Sequence, residues 1–414
     1  MSDTAQTYDL LVIGGGAAGM LAAGTAAARG RKVLLLEKNA VLGKKLSITG
    51  GGRCNITNAE FDTRTLLKNY GDAEKFLHSP FSQYSVQHTF DFFTSEGLDL
   101  VVQGHKRAFP ASHKAPDVTA TLARYIEKKG VTTKLTSPVT NLEVADGIFV
   151  ATCGTVQYRA RACIVATGGT SHPETGSTGD AFPWLAAFGH TIIPSTPNLV
   201  PLKVKDEWVK KLAGNILPDI KISFYADGTR AFSKRGRVLL THFGLSGPLI
   251  LNTASEVQDL FSAGDVTARV DLFPDLDLGA LDDTVVASID EHKNKDFKNV
   301  IDALVPAGMG RTIAELFAHA DPAIKAHSLT KDERKRFVRL VKALPISIEG
   351  LMGFDRAIVS DGGVPLTEID TKTFESRKVP RLYIIGDALH INRPSGGYSL
   401  QLCWTSGHVA GSHA

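Results

Sequence analysis

The sequence predicts an α/β fold in which one large domain is assembled from both ends of the chain. It takes residues 1–194 and 346–414, around an inserted β-rich domain at 195–278 and a mostly helical subdomain at 279–345. Three observations carry this. A short apolar run, LLVI at 10–13, leads straight into Gly14-Gly15-Gly16-Ala17-Ala18-Gly19. Two later apolar runs, in RACIVATGG (161–169) and RLYIIGD (381–387), also stop at glycine. Between those two the pattern shifts to short alternating runs with Gly and Pro turns, as in KISFYADG and VTARVDLF.

Continuous apolar runs of this length suit strands of a parallel sheet buried on both faces. The G-x-G-x-x-G after the first one is weak evidence alone, because the chain has 39 glycines and chance matches are expected. Its setting strengthens it. A helix rich in Ala and Gly is expected over 17–29, closed by Gly30. RKVLLLE then gives a second strand with Glu37 at its end, 18 residues after Gly19. In such a unit Gly14 makes the tight turn, Gly16 lets backbone approach a pyrophosphate and Gly19 lets helix pack on strand. The helix N-terminus faces the phosphates, and a carboxylate at the position of Glu37 accepts hydrogen bonds from a ribose. The pattern therefore points to a cofactor containing ADP. Strands that end at glycine place the ligand crevice over the carboxyl edge of the sheet.

Bulk properties narrow the class. With 46 Lys+Arg against 43 Asp+Glu the net charge is +3, without the clustered basic excess of a nucleic-acid or membrane-surface protein. The expected partner is thus a small-molecule substrate, with neither nucleic acid nor membrane. Four scattered cysteines and no CxxC pair argue for reduced thiols in a cytoplasmic protein. The N-terminus shows no secretory pattern, no apolar run approaches the ~20 residues of a membrane span, and no histidine spacing suggests a metal site. The sequence leaves the oligomeric state open.

Longer motifs add a resemblance. GKKLSITGGGRCNITN (43–58), RAFPASHKAPDV (107–118), ATGGTSHPETGSTGD (166–180), THFGLSGP (241–248) and DGGVPLTEID (361–370) resemble the NAD(P)/FAD-dependent oxidoreductases. These are two-dinucleotide-fold flavoproteins related to aminoacetone oxidase and to the flavoprotein of bacterial bile-acid dehydroxylation. The likeness runs over nearly the whole chain and is weakest at 255–345. It implies a discontinuous Rossmann-like FAD-binding domain. It also implies a cofactor set of Gly14, Gly16, Ala18, Gly19, Glu37, Lys38, Lys45, Gly51, Gly52, Arg53, Asn55, Val139, Thr167, Gly168, Asp387, Gly397, Tyr398 and Ser399. Within it Asp387 is expected on a ribityl hydroxyl, Val139 beside the adenine, and the Gly396–Tyr398 turn at a helix start aimed at the flavin. The glycine run 50–52 would let backbone amides reach the cofactor, with Arg53 neutralising the diphosphate.

Two departures from the family stand out. Ser399 occupies a position where asparagine is usual, and DALHINRPS (387–395) replaces a more acidic segment. Flavin itself performs hydride transfer, so the protein supplies position and a proton path. His172, His242 and Arg393 are the candidates for catalysis or substrate contact. Cys54, beside Arg53 but without a partner cysteine or a nearby histidine, is expected to have a packing role.

No second G-x-G-x-x-G follows a strand, so NAD(P)H would act as a transient donor and not from a domain of its own. The expected activity is an FAD-dependent oxidoreductase on a small organic substrate. It either reduces an activated double bond with NAD(P)H or oxidises an amine or alcohol with oxygen as acceptor. An RNA-modifying flavoenzyme and a non-enzymatic flavoprotein are the alternatives.

Overall fold

The computed structural model describes residues 7–357 and 359–414. The chain folds as two compact units, one made of residues up to 198 with 354–414, the other of residues 199–353.

In the first unit a central sheet grows around the first apolar run. Strand β1 (Thr7–Ile13) is followed by helix α1 (Ala17–Ala28) and strand β2 (Val33–Leu36). After helix α2 (Ala115–Lys128) come β3 (Thr132–Lys134), β4 (Asn141–Ala145), β5 (Ile148–Cys153) and β6 (Val156–Val165). The last pieces are β7 (Leu382–Ile384) and the long helix α3 (Tyr398–His413). The sheet order is β3-β2-β1-β6-β5-β4, and β7 also pairs with β6. Pairs β1·β2, β1·β6, β2·β3 and β6·β7 are parallel, whereas β4, β5 and β6 form an antiparallel meander. β6 serves both: its first half pairs with β5, its last three residues with β7.

Side chains from Leu10 to Val12 are fully buried, as a strand covered on both faces requires. Helices α1 and α3 pack closely because glycines remove the side chains between them. A Cβ on Gly407 would lie 2.5 Å from Ala18 O, and one on Gly411 2.4 Å from Ala22 O. Spacing of four puts both glycines on one face of α3.

The second unit is a closed antiparallel barrel of six strands. Their order is Leu202–Val204, Gly244–Ser246, Thr229–Thr241, Ile216–Ala226, Val266–Asp271 and Leu344–Leu351. Helices Leu278–Glu291, Phe297–Leu304, Gly310–Phe317 and Lys331–Lys342 each turn one apolar face inward. Phe297, Phe317 and Phe337 join Ile222, Phe224 and Ile346 in one core. The stretch expected as a mostly helical subdomain, 279–345, shares its core with the barrel strands. Four short amphipathic helices have too little apolar surface to bury among themselves. No helix among the described residues is long and apolar enough to cross a membrane.

Candidate active site

The carboxyl ends of β1, β2, β6 and β7 align on one edge of the sheet. Gly14 N–H donates to Leu36 O (2.8 Å), Ala166 N–H to Ile13 O (2.9 Å) and Ile385 N–H to Val165 O (3.1 Å). The glycine turn emerges there. Gly14 has φ 107°, and a Cβ on it would sit 2.5 Å from Ala166 O. On Gly19 a Cβ would reach 1.9 Å from Gly14 O. Nothing lies within 4 Å of the corresponding point on Gly16, which is also the N-cap of α1 without a side-chain cap. The first N–H groups of α1 are thus left to face a ligand.

Glu37 is buried at the end of β2. Its carboxylate accepts Gly15 N–H (2.7 Å) on one oxygen, and Asn39 N–H (2.7 Å) and Nδ2 (2.8 Å) on the other. Ser137 N–H donates to Glu37 O (2.9 Å), which brings the segment carrying the buried Val139 to the same place. Lys38 reaches across to Thr178 Oγ1 (2.7 Å) and Asp180 Oδ2 (2.6 Å). Lys45 Nζ donates to Ser171 Oγ (2.6 Å). Burial holds the Lys45 ammonium below the usual lysine range, opposed by the nearby Asp387 carboxylate.

The 50–55 loop is built from left-handed residues: Gly50 (58°), Gly51 (67°), Gly52 (82°) and Cys54 (57°). Gly51 and Gly52 are exposed and have nothing within 4 Å of an added Cβ. Arg53 stacks over the Phe109 ring at 4.3 Å. Cys54 is fully buried, and burial pushes its thiol up to about 12. At neutral pH it is a packed, protonated thiol. In the amide orientation that satisfies both ends, Asn55 donates to Thr57 O (3.0 Å) and Ala108 O (3.1 Å). It then accepts Gly397 N–H (3.1 Å).

That last bond ties the loop to the start of α3. Gly397 (φ 104°) packs so tightly on Thr57 that a Cβ would lie 2.2 Å from its carbonyl carbon. Tyr398 meets Tyr70 edge-on at 5.8 Å, and Tyr70 Oη donates to Tyr398 O (2.8 Å). Trp404 Nε1 donates to Ile56 O (2.9 Å), and Thr57 Oγ1 to Gln401 Oε1 (2.6 Å). Asp387, just beyond β7, receives Nη2 of the buried Arg393, whose Nε donates to Ser399 Oγ (3.2 Å). Arg393 is therefore turned inward onto two residues of the cofactor set. Thr167 Oγ1 is buried without a hydrogen-bond partner among the described residues, and Gly168 (φ 75°) follows it.

One sheet edge thus gathers the glycine turn, Ala18, Glu37, Lys38, Lys45, the 51–55 loop, Val139, Thr167, Gly168, Asp387, Arg393 and Gly397–Ser399. His172 lies on the loop beyond Gly169, in a left-handed conformation (52°), with Nδ1 2.8 Å from Glu174 Oε1. His242 belongs to the barrel unit, beside Phe243 (ring centroids 4.9 Å). No group of three or more His, Cys, Asp or Glu residues able to hold a metal occurs among the described residues. Sequence reading missed Asn39, Ser171, Tyr70 and Gln401. Asn39 was accessible, because it follows Glu37 by two and a short amide there can bond back to the carboxylate. The other three become neighbours only through tertiary packing.

The residues fit a dinucleotide: an uncapped helix start behind an open glycine, a buried carboxylate, an exposed glycine turn and a Thr167 hydroxyl unpartnered among the described residues face the same edge. Comparison with known proteins agrees with this architecture. The chain is 29% identical over 407 residues to the 3-dehydro-bile acid delta(4,6)-reductase of Clostridium scindens, covering 97% of this chain and 98% of that one. It is 27% identical over 404 residues to the ribosomal RNA dihydrouridine synthase of Escherichia coli, covering 97% and 96%. The fold is shared with the 3-ketosteroid-delta4-(5alpha)-dehydrogenase of Rhodococcus jostii RHA1 at a TM-score of 0.55 and 15% identity, covering 99% and 98%. It is shared also with the 3-ketosteroid delta1-dehydrogenase of Sterolibacterium denitrificans at 0.56 and 14%, covering 98% and 99%. Residues 8–413 match the family described as HI0933-like protein Rossmann domain, and the chain belongs to that family.

Proposed function

We propose that this chain is an FAD-dependent oxidoreductase that reduces a carbon–carbon double bond conjugated to a carbonyl in a small organic molecule, with NAD(P)H as transient electron donor. The observation that carries the cofactor assignment is the open, uncapped start of α1 at Gly16, set beside the buried Glu37 carboxylate. In this reading Gly14–Gly19 hold the diphosphate, Glu37 the adenosine ribose, and Val139 the adenine. Lys38, Lys45 and Arg53 supply positive charge along it, and Gly51, Gly52 and Asn55 line the flavin. Thr167, Gly168 and Asp387 take the ribityl chain, and Gly397–Ser399 present the helix start. A bound flavin supplies hydride transfer in both directions.

The chain's own residues then position and insulate. Trp404, Tyr70 and Cys54 close the interior behind the loop, which keeps water from that side. The positive end of α3 would favour negative charge on a flavin held there. His172, half-buried and steadied by Glu174, remains a candidate for a proton path, and His242 a candidate from the barrel.

Of the two activities expected from the sequence, the relatives' names support the reductase. One is named a delta(4,6)-reductase and the other a dihydrouridine synthase, and each C=C bond saturated in such a reaction takes up two electrons and two protons. The test is anaerobic stopped-flow absorbance with NADPH and NADH separately, followed by a cyclic enone. Rapid bleaching of the ~450 nm flavin band and its return on adding the enone support the reading. A flavin that neither nucleotide bleaches sinks it.

A second reading, reduction of a uracil base in RNA, is favoured by the dihydrouridine synthase relatives, which match over nearly their whole length. It differs in one measurement: reoxidation of the reduced protein by unmodified ribosomal RNA and not by the enone.

A further inference from the structure

The segment between β7 and α3 carries a buried group of charges whose balance has a consequence for the cofactor. Arg393 is only 2% exposed. Its Nη2 donates to Asp387 Oδ1, its Nη1 to Ile391 O and its Nε to Ser399 Oγ at 3.2 Å. Ser399 is the second residue of α3, a helix whose N-cap, Gly397, provides no side-chain cap. The guanidinium is therefore fixed between the Asp387 carboxylate and the positive end of a 16-residue helix.

Lys45 is the other cation of the group, with Asp387, Cys403 and Arg393 facing it and Glu174 beyond. Cys403 and Tyr70, which also adjoin Arg393, add no charge: burial pushes the Cys403 thiol up to about 12 and the Tyr70 hydroxyl above its ordinary value. Two cations thus oppose one half-buried carboxylate when Lys45 is protonated, and one opposes one when it is not. Either way, taking away the guanidinium charge makes this place one unit more negative.

We propose that Arg393 sets the reduction potential of the bound flavin, its guanidinium being held by Asp387 and Ser399 at the start of α3 so as to favour the reduced state. The inference rests on the FAD reading given above. Uptake of two electrons and one proton leaves a flavin one charge more negative. A cation fixed in a poorly solvated place beside it stabilises that charge without reorganising. Arginine suits the task because it stays protonated at every working pH and its fork geometry holds a carboxylate and a hydroxyl together. Arg393 is here a positioning and potential-setting residue, not a proton donor.

The experiment compares wild-type protein with R393Q and R393K, each saturated with FAD. The midpoint potential is read by slow anaerobic reduction with xanthine and xanthine oxidase against a reference dye, and FAD affinity by fluorescence quenching. R393Q is expected to shift the reduction equilibrium about tenfold toward oxidised flavin, about 30 mV for a two-electron couple. R393K, which keeps the charge, should recover most of the shift. Where R393Q binds FAD weakly, the ratio of its affinities for oxidised and reduced FAD reports the same quantity. Equal potentials in all three proteins would overturn the proposal and leave Arg393 as a structural brace. Wild-type protein that takes up no FAD would instead refute the cofactor reading.

Discussion

Two glycine-rich stretches meet at the sheet edge, and they use glycine for opposite reasons. In the 14–19 turn, Gly14 and Gly19 are pressed against backbone, with a Cβ reaching 2.5 Å from Ala166 O and 1.9 Å from Gly14 O. In the 50–55 loop, a Cβ on Gly51 or Gly52 would meet nothing within 4 Å, so these positions need glycine only for their left-handed backbone. The first stretch is held by packing, so its glycines answer to the fold. The second is held at its far end by Asn55, and in the proposed function its exposed backbone faces the cofactor. A count of glycines cannot tell the two apart; the space around each one does.

That contrast can be broken by substitution. Gly19→Val should have the largest effect, because a backbone carbonyl cannot yield as a side chain does. A loss of about 3 kcal/mol or more is expected, read as a collapse of the thermal midpoint. Near-normal stability would mean that the turn is far looser than its geometry. Next comes Asn55→Ala, which strands the Gly397 N–H and two carbonyls; about 2 kcal/mol should be lost in urea unfolding, together with weaker FAD binding. If stability falls and FAD affinity does not, Asn55 braces α3 without shaping the cofactor site.

Gly51→Ala sharpens the comparison from the other side. The left-handed backbone costs about 1 kcal/mol, so the melting point should barely move while FAD affinity drops about tenfold by fluorescence titration. A large loss of stability with unchanged affinity would reverse the assignment of this loop. Cys54→Ala should matter least to chemistry. Its thiol is pushed up to about 12, so at pH 8 the native chain should leave Cys54 unlabelled by iodoacetamide, and unfolding in urea should expose it. Rapid labelling of the native protein, or slowed flavin reduction in the variant, would return Cys54 to the list of reactive groups.

Legibility followed the distance over which each feature is decided. The βαβ unit was readable because its signals are local: LLVI for a buried strand, glycines at fixed offsets, and Glu37 closing the second strand. The segment opened by GSTGD becomes α-helical only at Ala181–Ala187, since Gly176 (φ 101°) and Gly179 (φ 75°) interrupt its start. The barrel was legible only as alternating strands. Its closure depends on Leu202–Val204 pairing with Leu344–Leu351, and no local pattern encodes that register.

By itself the sequence determined that a dinucleotide-type turn exists, which strand and helix carry it, and which carboxylate ends the second strand. These follow from backbone sterics and hydrophobic period within some thirty residues. Tertiary structure alone decided that Asn55 reaches Gly397, that Glu37 also secures Gly15, and that Arg393 turns inward onto Asp387 and Ser399. A buried polar group must take whichever partner the fold brings within about 3 Å. For Asn55 and Gly397 that partner comes from the other end of the chain.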